Sequence, residues 1–186
     1  MNVKINDKVE VNVMRNVNGK EGIKLMAHWE WEHFRKGKLI DKWGYDNICS
    51  DEGLNHMLDV TFHGVTPVSP WYVEIFESDT TPDGATTYAT PVYTPCTSYD
   101  ETTRPEYVEA AASGKVITNA ASKAVFTINA SKTVYGASLV GGGTAAATKG
   151  DTAGGGVLFS AKKFTAAKNV VDDDVLNVTI AITLAN

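Results

Sequence analysis

Cysteine is nearly absent: two residues, Cys49 and Cys96, stand far apart in 186 positions and form no CxxC pair. That excludes a disulfide framework and a paired-thiolate metal site. It leaves either two reduced thiols or a single Cys49–Cys96 bridge. Long apolar runs are absent too, with nothing approaching the roughly 20 residues that span a bilayer. The opening Met1-Asn-Val-Lys-Ile5 lacks the apolar core of a secretory leader. The expectation is a soluble chain made in a cytoplasm, without a membrane partner. In that setting the sequons Asn129-Ala-Ser131 and Asn177-Val-Thr179 carry little weight. Positive charge is in deficit, 17 Lys and Arg against 22 Asp and Glu, for a net charge of −5 and a pI near 5.3. No nucleic-acid partner is expected from such a balance.

The signatures of catalysis are missing as well. There is no GxSxG, no HExxH, no Walker loop and no GxGxxG after a strand. The tracts Gly141-Gly-Gly143 and Gly154-Gly-Gly156 lack the Lys-Ser/Thr of a phosphate loop. His56 and His63 are seven residues apart, about 10 Å along a helix at 1.5 Å per residue, too far to share an ion. His28 and His33 fall on opposite faces of a strand. Asp172-Asp-Asp174 lacks the alternating ligands and glycine of a calcium loop and reads as a solvated turn. No catalytic, cofactor or metal residue is therefore expected, and the chain reads as a non-enzyme.

What is present is period two. Val3, Ile5, Val9, Val11 and Val13 all fall on odd positions, the pattern of a strand or arm over residues 1–21, closed by the turn signal Asn16-Val-Asn-Gly19. From residue 22 a single β-rich domain is expected to run to 186. Its opening strand, 22–34, carries Ile23, Leu25, Trp29 and Trp31 on one face. Arg35-Lys-Gly-Lys38 reads as a hairpin tip, with 39–45 returning. Since Trp29 and Trp31 share an apolar face, core packing is favoured over a sugar-stacking platform. Further strands are expected at 71–76, 104–108, 116–118, 124–128, 134–139, 157–161 and 176–184. Glu74, inside the aromatic run Trp71–Phe76, suits the solvent face of an edge strand or a partner for an arginine, with Arg104 the candidate. Two polar segments interrupt the strands. Residues 77–95 are rich in Asp, Thr, Pro and Tyr, and 141–156 in Gly, Ala and Thr. The first reads as a long ordered loop, or a loop with one short strand, that is functional or packs on a neighbouring chain; the second reads as mobile in the isolated chain or held by a neighbour.

One helix is predicted, over about 51–62. Leu54, Met57, Leu58 and Phe62 form its apolar stripe, Ser50 or Asp51 its N-cap, and Gly64 its stop. It is marginal alone and must dock on a sheet. The fold class is thus mainly β, an antiparallel β-sandwich or jelly-roll-like domain with one short helix.

Several stretches taken in order resemble a known group. They are Trp43-Gly-Tyr-Asp-Asn47, Asp51-Glu-Gly-Leu-Asn-His-Met-Leu-Asp-Val60, Phe62-His-Gly64, Trp71-Tyr-Val73, Tyr99, Thr103-Arg-Pro105, Ala124-Val-Phe-Thr-Ile-Asn129, Val134-Tyr-Gly-Ala137 and Val171-Asp-Asp-Asp-Val-Leu-Asn-Val-Thr179. The series, covering roughly 25–186, resembles small virion structural proteins of tailed bacteriophages. Glu74 departs from the glycine that such proteins often carry after Trp-Tyr-Val. The resemblance implies a non-enzymatic particle component located in the virion. Within that class it points to a capsid decoration (cement) protein that forms trimers and binds the major capsid protein or another virion protein. Candidate partner contacts are Val3, Ile5, Val9 and Val11 in the arm, and Arg35, Lys36 and Lys38 at the hairpin tip. The alternative is a carbohydrate- or receptor-binding module on a tail or head fibre, with Tyr88, Tyr93 and Tyr99 as exposed aromatics.

Overall fold

A computed structural model describes residues 23–185. The arm expected at 1–21, and with it Val3, Ile5, Val9 and Val11, lies outside the described residues. The described chain is mainly β and antiparallel throughout. Its strands are β1 (Lys24–Arg35), β2 (Lys38–Cys49), β3 (Trp71–Phe76), β4 (Val116–Thr118), β5 (Ala124–Thr127), β6 (Lys132–Gly141), β7 (Val157–Val170) and β8 (Val175–Ala185). The helix expected from the sequence is α1 (Asp51–Phe62), between β2 and β3.

The predicted Trp-rich hairpin is the centre of the fold. Lys36 and Gly37 take positive φ values of 51° and 73°, a two-residue turn whose twist suits antiparallel strands. β1 and β2 then pair from Arg35–Lys38 down to Ala27–Asn47, with a register shift at His33/Phe34. On the other side β1 pairs with β8 along its whole length, placing Trp29 opposite Ile180 and Trp31 opposite Val178. β4 and β5 extend this first layer along the outer edge of β8.

β2 belongs to both layers. Beyond Asn47 it leaves β1, and Ile48 and Cys49 pair with Ala161 and Ser160 of β7. The second layer continues from β7 to β6 and β3. The sheet thus runs β3-β6-β7-β2-β1-β8-β4, and bends at β2 into a sandwich-like arrangement with the core between the layers. Trp29, Trp31, Phe126, Leu176, Val178 and Ile180 from the first layer meet Val73, Ile75, Val134, Leu139 and Phe164 from the second. Trp31 stacks on Trp43 at 5.7 Å and meets Phe164 edge-on at 5.3 Å. Core packing of the tryptophans follows from their shared odd positions on β1, since alternate residues point to one face. Cys49 and Cys96 are buried and free, and burial pushes the Cys49 thiol up to about 11.

Three expectations need correction. Residues 104–108 form no strand; only a bridge between Glu106 and Tyr72 is made there. β7 runs to Val170, well past the predicted 161. The segment 141–156 does not depend on a neighbour, because its own chain holds it, as described below.

Candidate functional site

α1 begins where Ser50 caps it: Gly53 N–H donates to Ser50 Oγ at 3.0 Å. Ser50 Oγ in turn donates to Leu158 O of β7, and Ser50 N–H to Phe159 O at 3.0 Å. Glu52 accepts from the N–H groups of Leu158 and Tyr88 at 2.7 and 2.9 Å. Gly53 makes the closest approach. A Cβ there would lie 2.6 Å from Phe159 O and 2.7 Å from its Cα. The helix therefore docks through Gly53, Leu54 and Met57, and the rest of the predicted stripe faces outward. Leu58 is 53% and Phe62 82% exposed. At i and i+4 these two side chains are neighbours on the helix surface. His63 N–H and Val65 N–H both return to Asp59 O, with Gly64 at φ 72°, and Val65, just beyond the helix, is 39% exposed.

Between α1 and the first layer lies an apolar groove of about 420 Å³, lined by Met57, Val60, Val68, Trp71, Ile117 and Ile182 among others. It marks one open end of the sandwich.

The charged groups inside the fold are committed to one another. Glu74 and Arg104, 3% and 1% exposed, form a buried ion pair, as the aromatic strand around Glu74 had suggested. Ser138 Oγ donates to Glu74 Oε1 at 2.9 Å. Burial nevertheless raises the Glu74 carboxyl above the usual range, against the opposing pull of the Arg104 charge. Arg104 Nη1 donates to Ala146 O at 2.8 Å, Nη2 to Asp151 O at 2.7 Å, and the backbone N–H to Ala147 O at 2.8 Å. Asp151 Oδ2 accepts from Tyr88 O–H at 2.6 Å and Gly154 N–H at 2.9 Å. One arginine thus fastens 141–156 to the interior and, through Tyr88, to the 77–100 loop.

This network disposes of the exposed-aromatic reading. Tyr88, Tyr93 and Tyr99 are buried, at 3%, 5% and 1% exposure. Tyr93 stacks on Phe76 at 4.4 Å, and Tyr99 meets Phe126 edge-on at 5.1 Å. Burial pushes the Tyr88 phenol up to about 12. These rings fill the gap between the loops and the sheet, so none of the three offers a face to a glycan.

At the hairpin tip Lys36 and Lys38 are exposed, as a contact surface requires. Arg35 is not available in the same way. Its Nε and Nη2 donate to the two oxygens of Asp174 at 2.8 and 2.7 Å. The Asp174 side chain is fully buried and also meets His33 Nε2 at 2.8 Å and Val171 N–H at 2.9 Å. Burial alone would raise its carboxyl; the donors from Arg35, Val171 and His33 hold it well below the usual range. The Asp172–Asp174 turn is thus solvated at its first two residues and anchored at the third. It is the corner by which the chain passes from β7 to β8, and Ile128 N–H and O lock it to Asp174 O and Asp173 N–H at 2.8 Å. Among the described residues no group of three or more His, Cys, Asp or Glu is placed to hold a metal ion. No helix among them is long and apolar enough to cross a membrane.

Compared with protein-family models and with curated proteins, the chain matches none. Exposure identifies the candidate surface: Leu58 and Phe62 on the outward face of α1, with Val65 exposed just after it. Sequence reasoning had assigned Leu58 and Phe62 to the core. The signal that could have corrected it is Gly53, a glycine in a first helical turn, which allows the helix to sit on its N-terminal end.

Proposed function

We propose that this protein is a non-enzymatic structural component of a tailed-bacteriophage virion, a decoration protein that binds the outer head surface. One observation supports the reading best. The interior acids and bases pair with one another, while two large apolar side chains at i and i+4 on α1, Leu58 and Phe62, stand exposed as neighbours, and Val65 is exposed just after the helix. A protein–protein contact centred on an aromatic anchor uses such a surface. The major capsid protein is the proposed partner, and trimers are the proposed form. The trimer rests on the sequence resemblance alone, because the two long loops are ordered by their own chain and do not call for neighbours.

The test is co-sedimentation of the full chain with assembled heads, alongside Leu58→Ser/Phe62→Ser. Binding by the parent chain is expected, with affinity at least about tenfold lower in the variant, the equivalent of about 1.4 kcal/mol. An unchanged far-UV spectrum would establish that the variant folds. Failure of the parent chain to co-sediment would refute the head assignment. Equal binding by the variant would refute the helix as the contact.

A further inference from the structure

We propose that the outer face of the first layer, at its hairpin-tip end, meets the same face of a second copy of this chain across a two-fold axis that runs along the strands. The inference stands apart from the phage reading and from the proposed trimer.

At this end one residue from each of four strands falls in a row. Thr127 of β5 is opposite Val175 of β8, Val175 opposite Phe34 of β1, and Phe34 opposite Leu39 of β2. The row faces outward, because the sequence neighbours Phe126, Leu176 and His33 are buried and alternate residues take opposite faces. The register shift enlarges it. From His33–Asp41 to Phe34–Leu39, β1 advances one residue and β2 advances two. Two residues then oppose one, as in a β-bulge, and both Leu39 and Ile40 stand exposed, at 52% and 49%. Val125, 38% exposed, lies diagonal to Val175 on the same face. With Phe34 and Val175 half-buried, these side chains form an apolar strip across the sheet.

The charges at this end are sorted by side. Beside β2 the tip carries Lys36 and Lys38, exposed and without an acidic partner among the described residues. Toward β5 the turn before β8 carries Asp172 and Asp173, also exposed. Ile128, the residue after β5, holds that turn on its side through Asp173 N–H and Asp174 O. Further along the face the charges satisfy one another: Lys123 meets Glu32 at 2.9 Å, and Lys42 lies 3.8 and 4.0 Å from Glu30 and Glu32. A two-fold axis along the strands exchanges the two sides, as an isologous contact requires. Lys36 and Lys38 then meet the partner's Asp172 and Asp173, and the reverse, while strip packs on strip. An unrelated acidic protein would gain from the lysines and lose against the aspartates; a second copy gains from both. The contact is remote from α1. The 12 residues of β2 separate the tip from the helix, about 35–40 Å at 3.2–3.4 Å per residue, so Leu58 and Phe62 stay free in the pair.

Sedimentation velocity over a range of concentrations tests this on the parent chain, on Lys36→Asn/Lys38→Glu, on Asp172→Lys/Asp173→Asn, and on an equal mixture of these two variants. Asparagine is used where φ is positive, 51° at Lys36 and 66° at Asp173, since it tolerates that backbone. The parent is expected to double its mass with concentration, whether the unit that doubles is one chain or a ring. Each variant alone loses the matched charges, so its association should be at least about tenfold weaker. In the mixture the glutamate of one variant meets the lysine of the other, and doubling should recover. Leu39→Ser/Ile40→Ser should weaken association with no recovery on mixing. Unchanged far-UV spectra would establish that the variants fold; if a charge variant does not, the double-serine chain provides the reading. A parent of one mass at all concentrations overturns the proposal. So do charge variants or a double-serine chain that associate as the parent does, or a mixture that associates no better than its components.

Discussion

Replacing Arg104 with alanine strikes the fold where its two loops are joined. The substitution leaves Glu74 at 3% exposure with two neutral donors, the hydroxyls of Ser138 and Tyr93, and no cation. Breaking a buried ion pair from one side costs about 3–5 kcal/mol. The carbonyls of Ala146 and Asp151 also lose their donors, worth about 1–3 kcal/mol each if they stay dry. They lie in a loop, however, and opening that loop returns them to water, so the pair dominates. The expected loss is about 3–5 kcal/mol, a large fraction of the 5–15 kcal/mol that holds a domain together. Urea denaturation followed by tryptophan fluorescence measures it. Amide exchange locates it, with 144–154 opening well before the core strands. A second variant separates the two contributions. Glu74→Leu/Arg104→Met removes both charges, so most of the stability should return while 144–154 still exchanges fast. A loss below about 1 kcal/mol in Arg104→Ala, or a full loss with 144–154 still protected, would refute the assignment of Arg104 as the fastening point.

Two further outcomes test the helix docking and the interlayer corner. Gly53→Ala sets about 1 kcal/mol of helix propensity against overpacking of about 1–3 kcal/mol on the backbone of β7. Because Phe159 O and Cα cannot swing aside, net destabilisation is expected in thermal melts, and a stabilised variant would refute the close approach. Asp174 ionises more easily folded than unfolded. Its contribution is therefore complete above the unfolded carboxylate value of about 3.9 and is lost as pH falls through the lower folded value. Asp174→Asn should be less stable than the parent at neutral pH, and the difference should shrink in acid. An equal gap at pH 7 and in strong acid would contradict the Arg35–Asp174–His33 arrangement.

Periodic segments were legible from the sequence and long-range polar contacts were not. The Trp hairpin, Trp71–Phe76, the last strand and the helix bounds all follow from spacing. Glu74 was readable because a carboxylate in an aromatic strand calls for a cation. The second half of β7 was hidden because Lys162, Lys163, Thr165, Ala166, Ala167 and Lys168 show no alternation of apolar residues. That edge is half wet and is held by the ladder to β6. Asp174 looked solvated because its partners, Arg35 and His33, lie 139 and 141 residues away. Tyr88, Tyr93 and Tyr99 stand among polar, turn-forming residues, a local composition that points to exposure. Their cover comes from Gly156, Phe76 and Phe126, chosen by the folded chain.

The junction between β2 and α1 is a single residue, Ser50, hydrogen-bonded through its backbone and side chain to β7. The helix thus has no slack: it cannot pivot without disturbing the one strand that both layers share. A partner meeting Leu58 and Phe62 would find its docking surface already rigid. Little chain disorder would be surrendered on contact beyond the rotamers of those side chains, about 0.5–1.5 kcal/mol each. Repeated over a lattice of identical subunits, that stiffness would let modest contacts hold while the surface beneath them strains.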